Sequence, residues 1–97
     1  MLHMINKPPI TANTLSSVVR IAADGDPILL IEDAVLAARP GAVTDELVKR
    51  TAAKHPVYAI AADLKARGIE KLIEGLESIG YEGFVELAEK HQVVTWN

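Results

Sequence analysis

The sequence predicts an α/β protein, a single three-layer α/β/α domain built on a mostly parallel sheet of about five strands. Residues 28–31 are four consecutive large aliphatic residues between turn formers, which indicates a strand buried on both faces. Segments with apolar residues at helical spacing alternate with short apolar runs, as in α/β folds. The 97 residues suffice for one domain, so we assign 1–97 to it.

Composition narrows the class of protein further. Hydrophobic residues make up 49% of the chain and the mean hydropathy is +0.18, which is apolar for a small soluble domain. Part of this apolar surface should be covered by another chain, so we expect an oligomer. No apolar run approaches the ~20 residues of a membrane span, and no targeting segment precedes the first strand. We therefore expect a cytoplasmic protein without membrane contact.

The charged residues and the absent cysteines exclude several functions. The formal charge is −3, and the basic residues are scattered, so direct binding of nucleic acid is not expected. The chain has no cysteine, which excludes disulfides, zinc thiolate sites and thiol chemistry on this chain. The histidines lack the spacing of a metal site, and no glycine motif could cradle a phosphate. We expect neither a metal nor a cofactor.

The chain begins with a predicted strand at residues 1–6, which the proline pair at 8–9 ends because proline lacks a ladder amide. A helix follows, with Asn13 or Thr14 as its cap. Its apolar stripe, at i, i+3, i+4 and i+7, is formed by Leu15, Val18, Val19 and Ala22. Residues 24–27 then turn the chain into the buried strand.

Two further helices and a strand are predicted in the middle of the chain. Asp33 should cap a short helix over 33–39. Thr44 should cap the next helix, whose acidic residues lie in its first turn and whose basic residues lie near its end, in agreement with the helix dipole. Residues 57–61 form the third predicted strand, and Asp63 should cap the single turn after it.

The last third of the chain predicts a strand, a helix and a strand. Residues 76–79 are assigned to a short strand, although residues 69–76 also carry helical spacing. A helix ending near His91 has an apolar stripe at Tyr81, Phe84, Val85 and Ala88. Residues 92–96 form the final strand. Three full helices cover two faces of a five-stranded sheet only thinly, which again indicates a partner chain.

Three polar side chains follow the first three predicted strands. Asn6, Asp33 and Asp63 should converge, because the carboxyl ends of parallel strands meet at one edge of the sheet. One interpretation is a small polar pocket formed by these three residues. The other is that Asp33 and Asp63 are only helix caps, each stabilising its helix by ~1 kcal/mol.

Two aromatic side chains have open roles. His3 lies in a predicted strand among apolar residues, where a buried, hydrogen-bonded histidine is more common than a catalytic base. Trp96 belongs to the last strand, and it either packs on the body of the domain or anchors an interface, where tryptophan is enriched.

Four stretches carry a resemblance to a known family: MLH…NKPP at 1–9, ILLIEDAV…AA at 28–38, VYAI…DLKARG at 57–68, and YEGFV…HQVVTW at 81–96. Their order and spacing resemble the TusB/DsrH family over nearly the whole chain. The resemblance implies a DsrE-like fold and the small third subunit of a sulfur-relay complex. It implies TusC/DsrF-like and TusD/DsrE-like partners, and a pathway of either tRNA wobble-uridine 2-thiolation or sulfur oxidation.

The chain departs from the family pattern at two positions. Many relatives carry a cysteine in the first helix, where this chain has Val18, and an aspartate where it has Gly80. Persulfide transfer requires a thiolate, which valine cannot supply. We therefore expect no catalytic residue in this chain and an accessory, non-enzymatic role in a sulfurtransferase complex. The alternative is a stand-alone homo-oligomeric module, or homodimer, that binds a small polar ligand at the carboxyl edge of the sheet.

Overall fold

The computed structural model describes residues 1–7 and 12–96, so the predicted stop at Pro8 and Pro9 lies outside the described residues. Five strands form one sheet in the order β4-β3-β2-β1-β5, and every neighbouring pair is parallel. The α/β fold class with a parallel five-stranded sheet is therefore confirmed. The strands are β1 Leu2–Ile5, β2 Ile28–Leu30, β3 Val57–Ile60, β4 Leu76–Ile79 and β5 Val93–Trp96.

Helices connect consecutive strands and lie in two unequal layers. They are α1 Ala12–Ile21, a 3₁₀ helix Glu32–Ala38, α2 Asp45–Ala52, α3 Ala61–Ala66 and α4 Tyr81–Lys90. From β1 to β4 the chain steps across the sheet in one direction, so right-handed crossovers place the first four helices on one face. The return from β4 to β5 runs the other way, which places α4 on the opposite face.

The better-covered face holds the main core. All three residues of β2 are buried, as expected for a central strand between two layers. The largest apolar cluster joins the sheet to α1, the 3₁₀ helix, α2 and α3 through Ile5, Leu15, Val18, Ile28, Leu30, Val35, Val48, Val57 and Leu64. Removal of this apolar surface from water is the main force that fixes the layer on the sheet.

Among the described residues, α4 is the one helix on the second face. None of the residues of α4 is buried, and Tyr81, the first residue of its predicted apolar stripe, is 78% exposed. A Cβ at Gly83 would lie 3.1 Å from the Cβ of Ile79, so glycine lets the helix approach β4 closely. The thin coverage expected from the sequence is therefore concentrated on this face.

Three predicted helix caps are wrong. The first long helix begins at Ala12, so Asn13 and Thr14 lie inside it rather than at its cap. The 3₁₀ helix and α3 start after apolar residues, and neither has a side-chain cap bond. Asp33 and Asp63 lie within the first turns, where other groups bind their carboxylates. Thr44 does occupy the cap position of α2, but its side chain makes no cap bond.

Candidate functional site

An arginine that the sequence did not single out joins the two predicted site aspartates at the carboxyl edge of the sheet. The Nε of Arg67 donates to the Oδ1 of Asp33 at 2.7 Å, and its Nη1 donates to the carbonyl of Asp63 at 3.1 Å. Nη1 also lies 3.8 Å from the Oδ1 of Asp63. Asp33 and Asp63 therefore lie close together, as predicted from their positions after neighbouring strands. The guanidinium of Arg67 bridges them.

The corner between β2 and the 3₁₀ helix is held in an uncommon backbone conformation. Glu32 has a φ of +52°, and among the described residues other than glycine it alone has a positive φ. This costs ~1 kcal/mol or more for a residue with a Cβ. The N–H of Glu32 donates to the Oδ2 of Asp63 at 2.6 Å, and this hydrogen bond helps to hold the strained residue in place.

Asn6 lies at the same end of the sheet but contacts a different strand. Its backbone N–H donates to the carbonyl of Trp96 at 3.5 Å, across the β1–β5 pair. The structure thus brings Asp33 and Asp63 together and places Asn6 beside β5. The polar pocket of all three residues stays a prediction. Within the described part of the chain, no group of three histidine, cysteine or acidic residues could hold a metal ion.

A second polar cluster surrounds His3 of β1. This side chain is 1% exposed, and both of its ring nitrogens have partners. The Nε1 of Trp96 lies 3.2 Å from Nδ1, and the Oδ2 of Asp26 lies 3.1 Å from Nε2. An indole N–H can only donate, so Nδ1 accepts and Nε2 carries the proton that is donated to Asp26. His3 is therefore a buried, satisfied residue that ties β5 to the turn before β2.

Through this contact, Trp96 packs against its own domain. Its ring is half-buried, packs against the main core and lies 6.2 Å from the ring of His3, centroid to centroid. Its indole N–H is already used within the chain. A role for Trp96 as an interface anchor stays a prediction.

Asp26, in the turn before β2, accepts several hydrogen bonds. Besides His3, its carboxylate accepts from the N–H of Ala23 at 3.0 Å and from the amine of Met1 at 3.1 Å. The Nδ1 of His55 donates to its backbone carbonyl at 3.0 Å. Burial alone would raise the pKa of Asp26. The hydrogen bonds and the positive charge of the amine outweigh it and lower that pKa from 3.8 to about 2.

Asp26 should therefore make stability depend on pH in the acid range. Its folded pKa lies below the unfolded value, so its contribution is complete above about pH 4 and is lost as the pH falls toward 2. Asp26→Asn should lower the free energy of unfolding at pH 7 by about 2 kcal/mol and flatten this dependence. Urea unfolding of both proteins between pH 2 and 7 measures it. If the free energies of unfolding of the two proteins changed with pH in parallel over that range, Asp26 would not be the source of the pH dependence.

Val18, the position that the resemblance matches to a cysteine, faces the interior. Its side chain is fully buried between α1 and the sheet, within the main core. The carboxyl edge and the His3 cluster also lack a nucleophile of the thiol type, because the chain has no cysteine. The polar groups described above are engaged with one another and stabilise the fold.

Sequence reasoning missed Arg67 and Asp26 for a common reason. Arg67 binds Asp33 across 34 positions, and Asp26 binds His3 across 23. Neither contact leaves a periodic or motif-like trace, because the partners meet only after the strands pair. The weak available signal for Asp26 was its place in the turn just before the buried strand, and for Arg67 its place four residues after Asp63.

The fold and the contacts described above define the class of protein. It is a small α/β sandwich with a parallel sheet and no cysteine, and its polar residues stabilise the turns that join strands to helices. Solved structures share this fold. The ychN protein from E. coli superposes with a TM-score of 0.77 at 18% identity, covering 98% of this chain and 97% of that one. Protein MTH1491 from Methanobacterium thermoautotrophicum, of unknown function, gives 0.77 at 17% identity, with 98% and 96% covered.

Sequence comparison then identifies the family. The family model described as DsrH like protein matches residues 7–94. Protein TusB of Serratia proteamaculans (strain 568) is 39% identical over 93 residues, covering 95% of each chain. Protein TusB of Enterobacter sp. (strain 638) is 38% identical over 92 residues, covering 94% of each. This chain belongs to the DsrH family, which confirms the resemblance found in the sequence. None of the helices in the described residues is long and apolar enough to span a bilayer.

Proposed function

We propose that this chain is an accessory subunit of a sulfur relay that serves tRNA thiolation, and that it holds other chains in place without carrying sulfur. The observation that carries the proposal is the absence of cysteine from a member of the DsrH family. A persulfide forms only on a thiolate, so any sulfur must travel on partner subunits. Such a role makes the chain non-enzymatic by itself.

The proposed partners are TusC/DsrF-like and TusD/DsrE-like subunits in the cytoplasm. The uneven layers of the fold support a heteromeric assembly, because in the described part of the chain one sheet face is covered by a single helix, α4, and none of its residues is buried. Val93 on the edge strand is 42% exposed, which adds apolar surface next to this face. Exposed apolar surface of this kind is typical of a subunit that is covered in its complex. The similarity to proteins named TusB supports the tRNA branch over sulfur oxidation.

Co-expression with the two candidate partners tests this assignment. We expect a complex that contains the three chains in equal numbers, resolved by native mass spectrometry. The control is expression of the chain alone, where we expect a monomer or homodimer with exposed apolar surface. A stable homodimer that ignores both partners would favour the stand-alone ligand-binding module instead.

The stand-alone module would use the carboxyl edge with Asn6, Asp33 and Asp63. The geometry favours this alternative less, because Arg67 already binds both aspartates and offsets part of their negative charge. A small ligand at this edge would have to displace that guanidinium or accept a hydrogen bond from it. If the chain is a stand-alone module, Arg67→Met should change its binding of the small ligand. If the chain is a relay subunit instead, Arg67→Met should leave its co-assembly with the partners intact.

A further inference from the structure

A groove separates α1 from α2 on the face of the sheet that both helices cover. Its volume is about 560 Å³. Its apolar lining comes from Val19 and Leu47, both half-buried, together with Ala53. Ser16 and Thr51 add hydroxyl groups, although the Oγ1 of Thr51 donates to the carbonyl of Leu47 at 2.8 Å. We call this feature the α1–α2 groove.

Basic side chains lie on both walls of the α1–α2 groove. Arg20 belongs to α1, and Arg50 and Lys54 lie on the α2 side. All three are exposed, and none forms an ion pair with another described residue. Nearby Lys49, in contrast, pairs with Asp45 at 3.2 Å. The whole chain carries a formal charge of −3, so this positive groove does not reflect the overall composition.

We propose that the α1–α2 groove binds an acidic amphipathic helix of a partner protein. An apolar lining between two basic walls is complementary to an apolar stripe flanked by carboxylates. Helix-in-groove recognition buries such a stripe between two helices, and the charges at the rim orient it and speed its association. This binding site goes beyond the proposed relay role and does not depend on it.

Other occupants fit the groove less well. Nucleic acid binding requires more phosphate contacts than three cations supply. The imidazole of His55 also lines the groove, but it is only 4% exposed and donates to the carbonyl of Asp26, so it offers no open face for base stacking. A small inorganic anion would meet only exposed, hydrated cations, whose individual contacts are weak. An acidic helix uses both the charges and the apolar lining.

A pair of synthetic helical peptides tests the proposal on the full chain. One peptide has leucines at i, i+3, i+4 and i+7 flanked by glutamates, and the other has glutamine in place of each glutamate. In NMR titrations, we expect the acidic peptide to shift resonances of α1 and α2, with affinity at least about tenfold higher than its glutamine counterpart. Lys54→Glu and Arg50→Glu should each weaken its binding by about fivefold or more.

Lys71→Glu is the matched control, since it reverses the charge of another exposed lysine, outside the groove, and should leave affinity unchanged. The proposal is overturned if the acidic peptide fails to bind at millimolar concentration, or if its shifts lie elsewhere. Equal affinity for both peptides, or insensitivity to Lys54→Glu, would also overturn it. Unfractionated tRNA serves as the competing probe, and stronger tRNA shifts at α1 and α2 would assign the groove to nucleic acid instead.

Discussion

A cysteine introduced at position 18 should react with N-ethylmaleimide at least about a hundredfold more slowly than one introduced at position 16. Val18 lies on the buried side of α1 and is fully buried, whereas Ser16 is exposed on the same helix two residues earlier. A reagent reaches the buried thiol only when the helix opens, and such opening costs several kcal/mol in a packed core. The wild-type chain has no cysteine, so each variant carries a single thiol.

This comparison bears directly on the role of the chain. If Val18→Cys were as accessible as Ser16→Cys in the native state, position 18 could exchange sulfur with a partner, and our account of a merely supporting subunit would weaken. Guanidinium chloride at about 6 M unfolds ordinary domains. In this denaturant the two variants should react at similar rates, since unfolding exposes both thiols. That control separates burial from any difference in intrinsic reactivity.

His3→Ala should lower the free energy of unfolding by about 3 kcal/mol, the largest loss we expect from a single polar residue. The substitution leaves a cavity beside β1 and removes the partners of both the Trp96 indole and the Asp26 carboxylate. Trp96→Phe should cost less, about 1–2 kcal/mol, because it removes one hydrogen bond and keeps an aromatic ring. Urea unfolding followed by far-UV circular dichroism measures both.

The double variant shows whether the two residues act together. We expect a coupling energy of about 1 kcal/mol between His3→Ala and Trp96→Phe, since each substitution breaks the same hydrogen bond. Thr95→Ala, an exposed neighbour in the same strand, should cost under about 1 kcal/mol and show no coupling with His3→Ala. Additive effects for His3 and Trp96 would mean that the bond contributes nothing to stability.

Most of the strands were predictable because they are short apolar runs with clear boundaries; β4 is the exception, since it contains Glu77 and Ser78 and follows a segment with helical spacing. Residues 28–31 had no polar alternation, and the structure buries all three residues of β2. The last strand was equally clear from its β-branched residues. The helices α1 and α4 were also found, because their apolar stripes recur at i, i+3, i+4 and i+7.

The polar contacts were not predictable in the same way. Asp33 and Asp63 looked like caps, since aspartate near a helix start usually is one. The guanidinium of Arg67 instead binds both residues, and this contact exists only after β2 and β3 pair. The left-handed conformation of Glu32 had no sequence signal either, because glutamate rarely adopts it. The convergence of the two aspartates followed from topology, but their partner did not.

The central claim is that this chain supports sulfur transfer without bearing sulfur. The most direct measurement follows ³⁵S from a labelled persulfide donor through the reconstituted complex, with the subunits separated under non-reducing denaturing conditions. We expect label on cysteine-bearing partners, none on this chain, and a slower transfer to the acceptor when this chain is omitted. Covalent label on this chain, or an unchanged transfer rate without it, would contradict the account.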